Sequence, residues 1–211
     1  RGGLPPRCLL PELDMLGWDR HFATVNRLAA HVHPQAYEIC VIVGGEVEWW
    51  AGREVFQVRP GDVYITRPGE EHGGVDSMMH PCELYFFQIA LPRRRALPGL
   101  TVEQTRSVAD ALARLRLRCF PGSDAVSRGM ELLLSEQRQP GPDSVLMMRA
   151  TLHSLLVQVL RDHDAALHRR PSLSPLMGQA VQWMQQRLGE DYAVTDVAAS
   201  VGLSVNHFQT R

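Results

Sequence analysis

The chain contains no lysine: all 22 of its basic residues are arginine. No single site explains this absence, and we read it as a coding bias of the source genome. Net charge is also nearly absent. A formal −1 at neutral pH provides no global basic field, so any nucleic-acid partner has to be argued from a local site. Only four cysteines occur, Cys8, Cys40, Cys82 and Cys119, and no two form a C-x-x-C pair. That spacing suggests neither a disulfide framework nor a thiolate zinc site, and reduced thiols in a cytoplasmic protein are the expectation. No apolar run reaches the length of a membrane span, and no charged-then-apolar leader opens the chain. The sequence begins without Met and stops within a helical pattern, which we read as part of a longer protein.

What is present divides into three periodicities. From His21 to about Leu91 the runs HFATVNRLAA, YEICVIV, EVEWW, REVFQV, DVYIT and ELYFFQIAL are short and rich in β-branched and aromatic residues. Gly/Pro turn pairs separate them, as in a sandwich or barrel. The Pro-broken LPPRCLLPELDML ahead of them reads as an arm laid over the β domain, or as a lid over its cavity. After LPRRRALPG the pattern turns helical. Thr101 and Gln104 form a capping box that opens a helix running to Phe120. A second helix covers DAVSRGMELLLSEQR, and Leu146, Ala150, His153, Leu156/Val157 and Leu160 mark the stripe of a third. A polar linker follows. Ser174 then caps a helix with Pro175 in its first position, and its stripe is Leu176, Ala180, Trp183/Met184 and Leu188.

His31 and His33 are two apart, so on a strand they share a face. Glu38 opens the next strand, where its same-face neighbours Cys40 and Ile42 are apolar. His72 follows the turn RPGEEHGG. Three imidazoles and a carboxylate suit Zn first, with Fe, Ni, Mn or Cu as alternatives. The plainer reading is that these histidines satisfy backbone groups. Trp49 and Trp50 alternate faces, so at most one lines an interior.

The spacing H-x-H-x4-E-x6-G (His31, His33, Glu38, Gly45), followed by Gly61, Gly69 and His72, resembles both motifs of the cupin superfamily. Two positions depart from it: Arg67 replaces the usual first Pro of the second motif, and Asp76 stands where Asn is common. The resemblance implies a small β-barrel in which His31, His33, Glu38 and His72 hold one divalent metal. A cavity for an organic effector would lie beside it, with Cys40, Ile42 and Tyr64 as candidate lining.

The C-terminal VTDVAASVGLSVNHFQTR, with the helix before it, resembles the first helix-turn-helix of the AraC/XylS family of bacterial regulators. Val197, Val201, Leu203 and Phe208 fall where such a unit buries its core, and Ala198 and Gly202 where its helices meet and turn. The plain alternative is a helical hairpin. The resemblance implies a mixed β and α chain with a cupin β-barrel sensor at 1–92, a helical linker and dimerisation segment at 93–170, and part of an all-α DNA-binding domain at 171–211. Ser204 would cap the recognition helix, Asn206, Gln209 and Thr210 would face a major groove, and Arg211 would meet phosphate. The expected function is that of a homodimeric, metal- or effector-responsive transcription regulator. The competing expectation is a metal-dependent cupin enzyme of dioxygenase or isomerase type.

Overall fold

The computed structural model describes residues 8–168, 175–187, 189 and 191–209. They fall into two compact units, Arg1–His168 and Arg169–Arg211.

Eleven strands open the first unit: β1 (Leu13–His21), β2 (Val25–Asn26), β3 (His31–Val32), β4 (Tyr37–Gly45), β5 (Val47–Ala51), β6 (Glu54–Val58), β7 (Asp62–Thr66), β8 (Glu71–Gly74), β9 (Met78–Met79), β10 (Cys82–Ile89) and, later in the chain, β11 (Cys119–Pro121). A cupin-like β domain is present, but among the described residues the strands do not close into the expected barrel. They form a five-stranded sheet ordered β1-β10-β4-β7-β11, a four-stranded sheet ordered β3-β8-β5-β6, and the pair β2-β9.

The central strand β4 explains the layering. Its run YEICVIV is nearly continuous in apolar residues because both faces of the strand are buried. Tyr37, Ile39 and Val41 point into a core shared with the helices. Cys40 and Ile42 point the other way, into a second core with Trp49, Val58 and Tyr64. Glu38 has the parity of Cys40 and therefore lies on the inner face between the sheets.

Three helices cover the outer face of the larger sheet: α1 (Val102–Ala113), α2 (Asp124–Arg138) and α3 (Ser144–His168). Thr101 and Gln104 form the expected capping box. Three expectations are corrected. Helix α1 stops at Ala113, and the RLRLR segment leads instead into β11, where Cys119–Pro121 pairs with Asp62–Tyr64. Helix formers at 114–118 yield to a sheet edge that needs a partner. The buried stripe of α3 is Met148, Leu152, Leu155, Leu156 and Val159, whereas Leu146 is 70% exposed. Finally, the supposed arm contains strand β1, paired along β10 from Leu13 to His21. The residues just before it lie against the helices, away from the inter-sheet core. Leu10 is fully buried there, Leu9 N donates to Gln137 Oε1 at 2.8 Å, and Arg149 Nε donates to Glu12 Oε1 at 2.6 Å. Among the described residues, the N-terminal segment therefore does not form a lid.

In the second unit α4 (Pro175–Gln185), α5 (Val194–Ser200) and α6 (Val205–Gln209) surround Ala180, Val197 and Val201. Leu203 and Phe208 pack against this small core, as do Leu176, Trp183 and Met184. Gly202 takes a φ of 71°, and Leu203 N donates to Ala198 O at 2.9 Å, turning the chain between α5 and α6. Ser174 and Leu188 lie outside the described residues.

Gly45 ends β4 with a φ of +76°, and a Cβ there would sit 2.2 Å from Pro81 O. Gly61 has a similar φ of +89° but open space around it. Gly61→Ala therefore carries backbone strain alone, about 1–2 kcal/mol. Gly45→Ala adds a backbone clash, and urea unfolding of the two variants will show the larger loss at Gly45.

Candidate metal and ligand site

Three short elements bring the four motif side chains together. His31 on β3 pairs in register with His72 on β8, and Glu38 enters from β4. The backbone fixes the loops between them. Gly69 has a φ of +74°, and its N–H donates to His33 O at 2.9 Å, tying the second motif to the first. The ring centroids of the three histidines lie 4.3–5.1 Å apart.

Each ligand atom has a defined role. His31 Nδ1 donates to Ala29 O and His72 Nδ1 to Glu70 O, both at 2.9 Å. Those bonds select the tautomer that leaves each Nε2 with a free lone pair. Glu38 Oε1 lies 3.4 Å from His33 Nε2, and Oε2 lies 3.4 Å from His72 Nε2. His72 is 3% exposed, yet its buried Nε2 has no hydrogen-bond partner among the described residues. Burial opposes the charge on Glu38, but the facing His33 and His72 rings and the Gln88 amide outweigh it and hold the carboxyl well below its ordinary range. For His72, burial favours the neutral ring. The adjacent Glu38 carboxylate and the Glu70 carbonyl prevail and raise its pKa.

This donor set fits a divalent ion. One ligand atom from each of His31, His33, Glu38 and His72 lies within 4.8 Å of every other. Bonds of about 2.0–2.1 Å place ligand atoms on opposite sides of an ion at most about 4.2 Å apart, so small inward movements complete the set. The orphaned His72 Nε2 is the group such an ion would satisfy. Cys40 adjoins the cluster, with a thiol that burial pushes well above its ordinary value, and it is not among the residues whose ligand atoms converge.

The cluster opens on a cavity of about 270 Å³ between the sheets. Of the expected pocket residues, Cys40 lines it. Ile42 and Tyr64 do not: Ile42 is fully buried in the inter-sheet core, and Tyr64 donates its hydroxyl to Trp50 O at 3.1 Å. The tryptophans divide as alternation requires. Trp49 lines the cavity, and Trp50 Nε1 donates to Gly74 O at 3.1 Å.

Sequence reading missed Gln88, which sits opposite Glu38 in the β10–β4 register. Its Nε2 lies 2.9 Å from Glu38 Oε1 and 3.1 Å from His33 Nε2. The available signal was one polar residue inside the apolar run YFFQIAL. A second omission is Arg118. Only 7% exposed, it donates through Nε to Ile65 O at 2.8 Å and through Nη1 to Glu70 Oε1 at 2.9 Å, and Nη2 reaches Glu70 Oε2. Glu70 is the residue whose carbonyl orients His72. Arg67, in the place of the usual Pro, joins the same clamp: its N donates to Glu70 Oε2 at 2.9 Å and its Nη2 to Leu115 O at 2.6 Å. Asp76 adopts a φ of 52°, a left-handed conformation that Asn and Asp share, which accounts for the exchange there.

In the second unit Ser204 Oγ accepts from His207 N at 3.4 Å, the expected cap of α6. Asn206 and Gln209 are exposed on that helix. Thr210 and Arg211 lie outside the described residues.

With this geometry in place, comparison with known proteins is informative. The chain matches the AraC-like ligand binding domain over residues 12–156, which is more than half its length, and it belongs to that family. No curated protein matches it by sequence. Among solved structures, the AraC-like transcriptional activator CuxR is 14% identical with a TM-score of 0.44, over 82% of this chain and 58% of that one. The chain thus spans little more than half the length of that activator. A predicted oxalate decarboxylase from Thermotoga maritima (22% identity, TM-score 0.33) matches over 38% of this chain and 69% of its own. KdgF from Halomonas sp. (25% identity, TM-score 0.26) matches over 33% of this chain and 64% of its own. Among the described residues, no helix is long and apolar enough to cross a membrane.

Two predictions arise here. Gln88→Leu removes a donor that supports Glu38 and His33, and calorimetric titration with zinc will show affinity reduced by about 10–100-fold. Arg118→Met leaves the Glu70 carboxylate with the Arg67 N–H alone and strands the Ile65 carbonyl, at a cost of about 3 kcal/mol at neutral pH. Burial opposes the Glu70 charge, but the Arg118 hydrogen bond and the Arg67 N–H more than offset it, so its folded pKa lies below the ordinary 4.5. The pair's contribution is complete above that ordinary value and is lost as pH falls through the folded one. Denaturant titrations will show the gap between wild type and Arg118→Met narrowing with acidification below the ordinary value.

Proposed function

We propose that this chain is the sensor and the start of the DNA-binding region of a cytoplasmic, homodimeric transcription regulator. The observation that carries the reading is a three-histidine, one-glutamate cluster facing a cavity inside an AraC-like ligand-binding domain. His31, His33, Glu38 and His72 hold a divalent metal, zinc first, with Fe, Ni or Mn as alternatives. When bound, such an ion supplies a positive, Lewis-acidic point on the cavity wall. Gln88 orients Glu38 toward it, and the Glu70 carbonyl orients His72.

The sensor acts on transcription only through different affinities for two arrangements of the protein. The Arg118–Glu70 clamp is the physical link from the site to the helices. Arg118 belongs to the segment whose Arg116 and Leu117 amides donate to His163 Nε2 on α3, at 3.0 and 3.3 Å. Occupation of the site shifts the loop carrying His72, and the clamp carries that shift to the last turns of α3. A second copy meets α3, where Leu146 and Met147 expose apolar side chains. Ser204, Asn206, Gln209, Thr210 and Arg211 read and hold DNA, with Asn206 and Gln209 suited to adenine edges.

A metal-dependent cupin enzyme is the second reading, favoured by the same cluster opening on a cavity that admits a small molecule. Elemental analysis will find about one equivalent of metal in the wild type and none in a His31→Ala/His72→Ala variant. Duplexes selected from a random DNA pool by the natural full-length protein will lose binding on Asn206→Ala. Metal-dependent turnover of a small acid, sugar or aromatic, with no selected DNA, would favour the enzyme instead.

A further inference from the structure

The cavity lining carries information about its occupant beyond the metal cluster. The walls are apolar, formed by Leu28, Cys40, Trp49, Met79, Leu84 and Phe86. A volume of about 270 Å³ corresponds to roughly nine waters, so the occupant is a compact molecule. A polyol fits poorly, because most of its hydroxyls would lose water and face hydrocarbon.

Charge sets the sign of the ligand. Two carboxylates line the cavity, and both are internally satisfied. Glu38 lies among His33, His72 and Gln88. Asp19 Oδ2 lies 3.0 Å from His21 Nε2, and Asp19 Oδ1 accepts from Arg20 N at 2.8 Å. Arg27 also lines the cavity, is exposed, and has no ion-pair partner among the described residues. Arg27 is therefore the charged side chain of the lining that is left for a ligand to pair with.

A buried donor adds an independent sign. Trp49 is 4% exposed and lines the cavity, and its Nε1–H has no hydrogen-bond partner. A buried indole N–H without an acceptor is costly, and an acceptor on the occupant of the adjoining cavity relieves that cost.

We propose that the cavity binds a small monocarboxylic acid with an apolar body. Arg27 pairs with its carboxylate, its body lies against Trp49 and Phe86, and Trp49 Nε1 donates to an acceptor on the ligand. This rests on reading the cavity as an effector site, and it names the effector's chemical class.

The test uses the 211-residue chain with phenylacetate, its neutral isostere phenylacetamide, and glucose as calorimetric probes. Phenylacetate binds about tenfold or more tighter than the amide, and glucose does not bind. Arg27→Gln, a change at an exposed position, abolishes the preference for the acid. Trp49→Phe keeps the ring, removes the N–H and weakens the acid several-fold, while metal content measured on the same samples is unchanged. Equal or tighter binding of the amide, or an acid preference that survives Arg27→Gln, overturns the carboxylate assignment and leaves a sensing cavity of another class. Binding of glucose but not the acid does the same. No binding of any probe overturns the assignment, and the DNA selection above then decides the regulator reading separately.

Discussion

The site depends on a buried arginine that comes from the helical part of the chain. Arg118 follows α1, yet its guanidinium reaches across to Ile65 O and both Glu70 oxygens. Without it, the Glu70 carboxylate before β8 would keep only the Arg67 N–H and the Ile65 carbonyl would lose its guanidinium donor, an expensive arrangement. With it, the turn is tied to the segment after α1, the Glu70 carbonyl fixes the His72 tautomer, and Gly69 N holds the His33 backbone. The β domain and the helices therefore do not merely adjoin. A side chain from one completes the loop that organises the other.

This arrangement explains why the ligand positions were legible in the sequence and their support was not. His31 and His33 on one strand face, Glu38 in register with an apolar strand, and His72 after a glycine turn are local patterns, and each rests on a period of two or a turn residue. The strands themselves were mostly visible for the same reason. Arg118 and Gln88 act across sequence separations of 48 and 50 residues, and no local pattern encodes such a pairing. Where local preference and tertiary need conflict, tertiary need prevails. Residues 114–118 look helical but serve the edge of β7 through β11. In α3 the run VLMMRATLHSLLVQVL is apolar around much of its circumference, so the sequence alone did not decide which stripe faces the sheet. The stretch LPPRCLLPELDML reads as an arm because its prolines obscure the alternation that begins in LDMLGWDRH.

The departures from the cupin pattern acquire reasons once the loop is seen. A proline in place of Arg67 lacks the N–H that Glu70 accepts, and lacks the guanidinium that reaches Leu115 O. The family's β framework is thus retained while the loop bearing a ligand histidine is tied to the helices through this chain's own residues. Among the described residues the strands form two main sheets and the pair β2-β9 in place of the closed barrel expected from the motif, and the cluster lines the cavity between the sheets.

The most direct test of the account is hydrogen–deuterium exchange with and without zinc, read peptide by peptide. The account predicts that zinc slows exchange at residues 67–74 and also at 114–118 and the last turns of α3, and that Arg118→Met confines the change to the site. Zinc-dependent protection limited to the site strands in the wild type, with 114–118 and α3 unaltered, would contradict it.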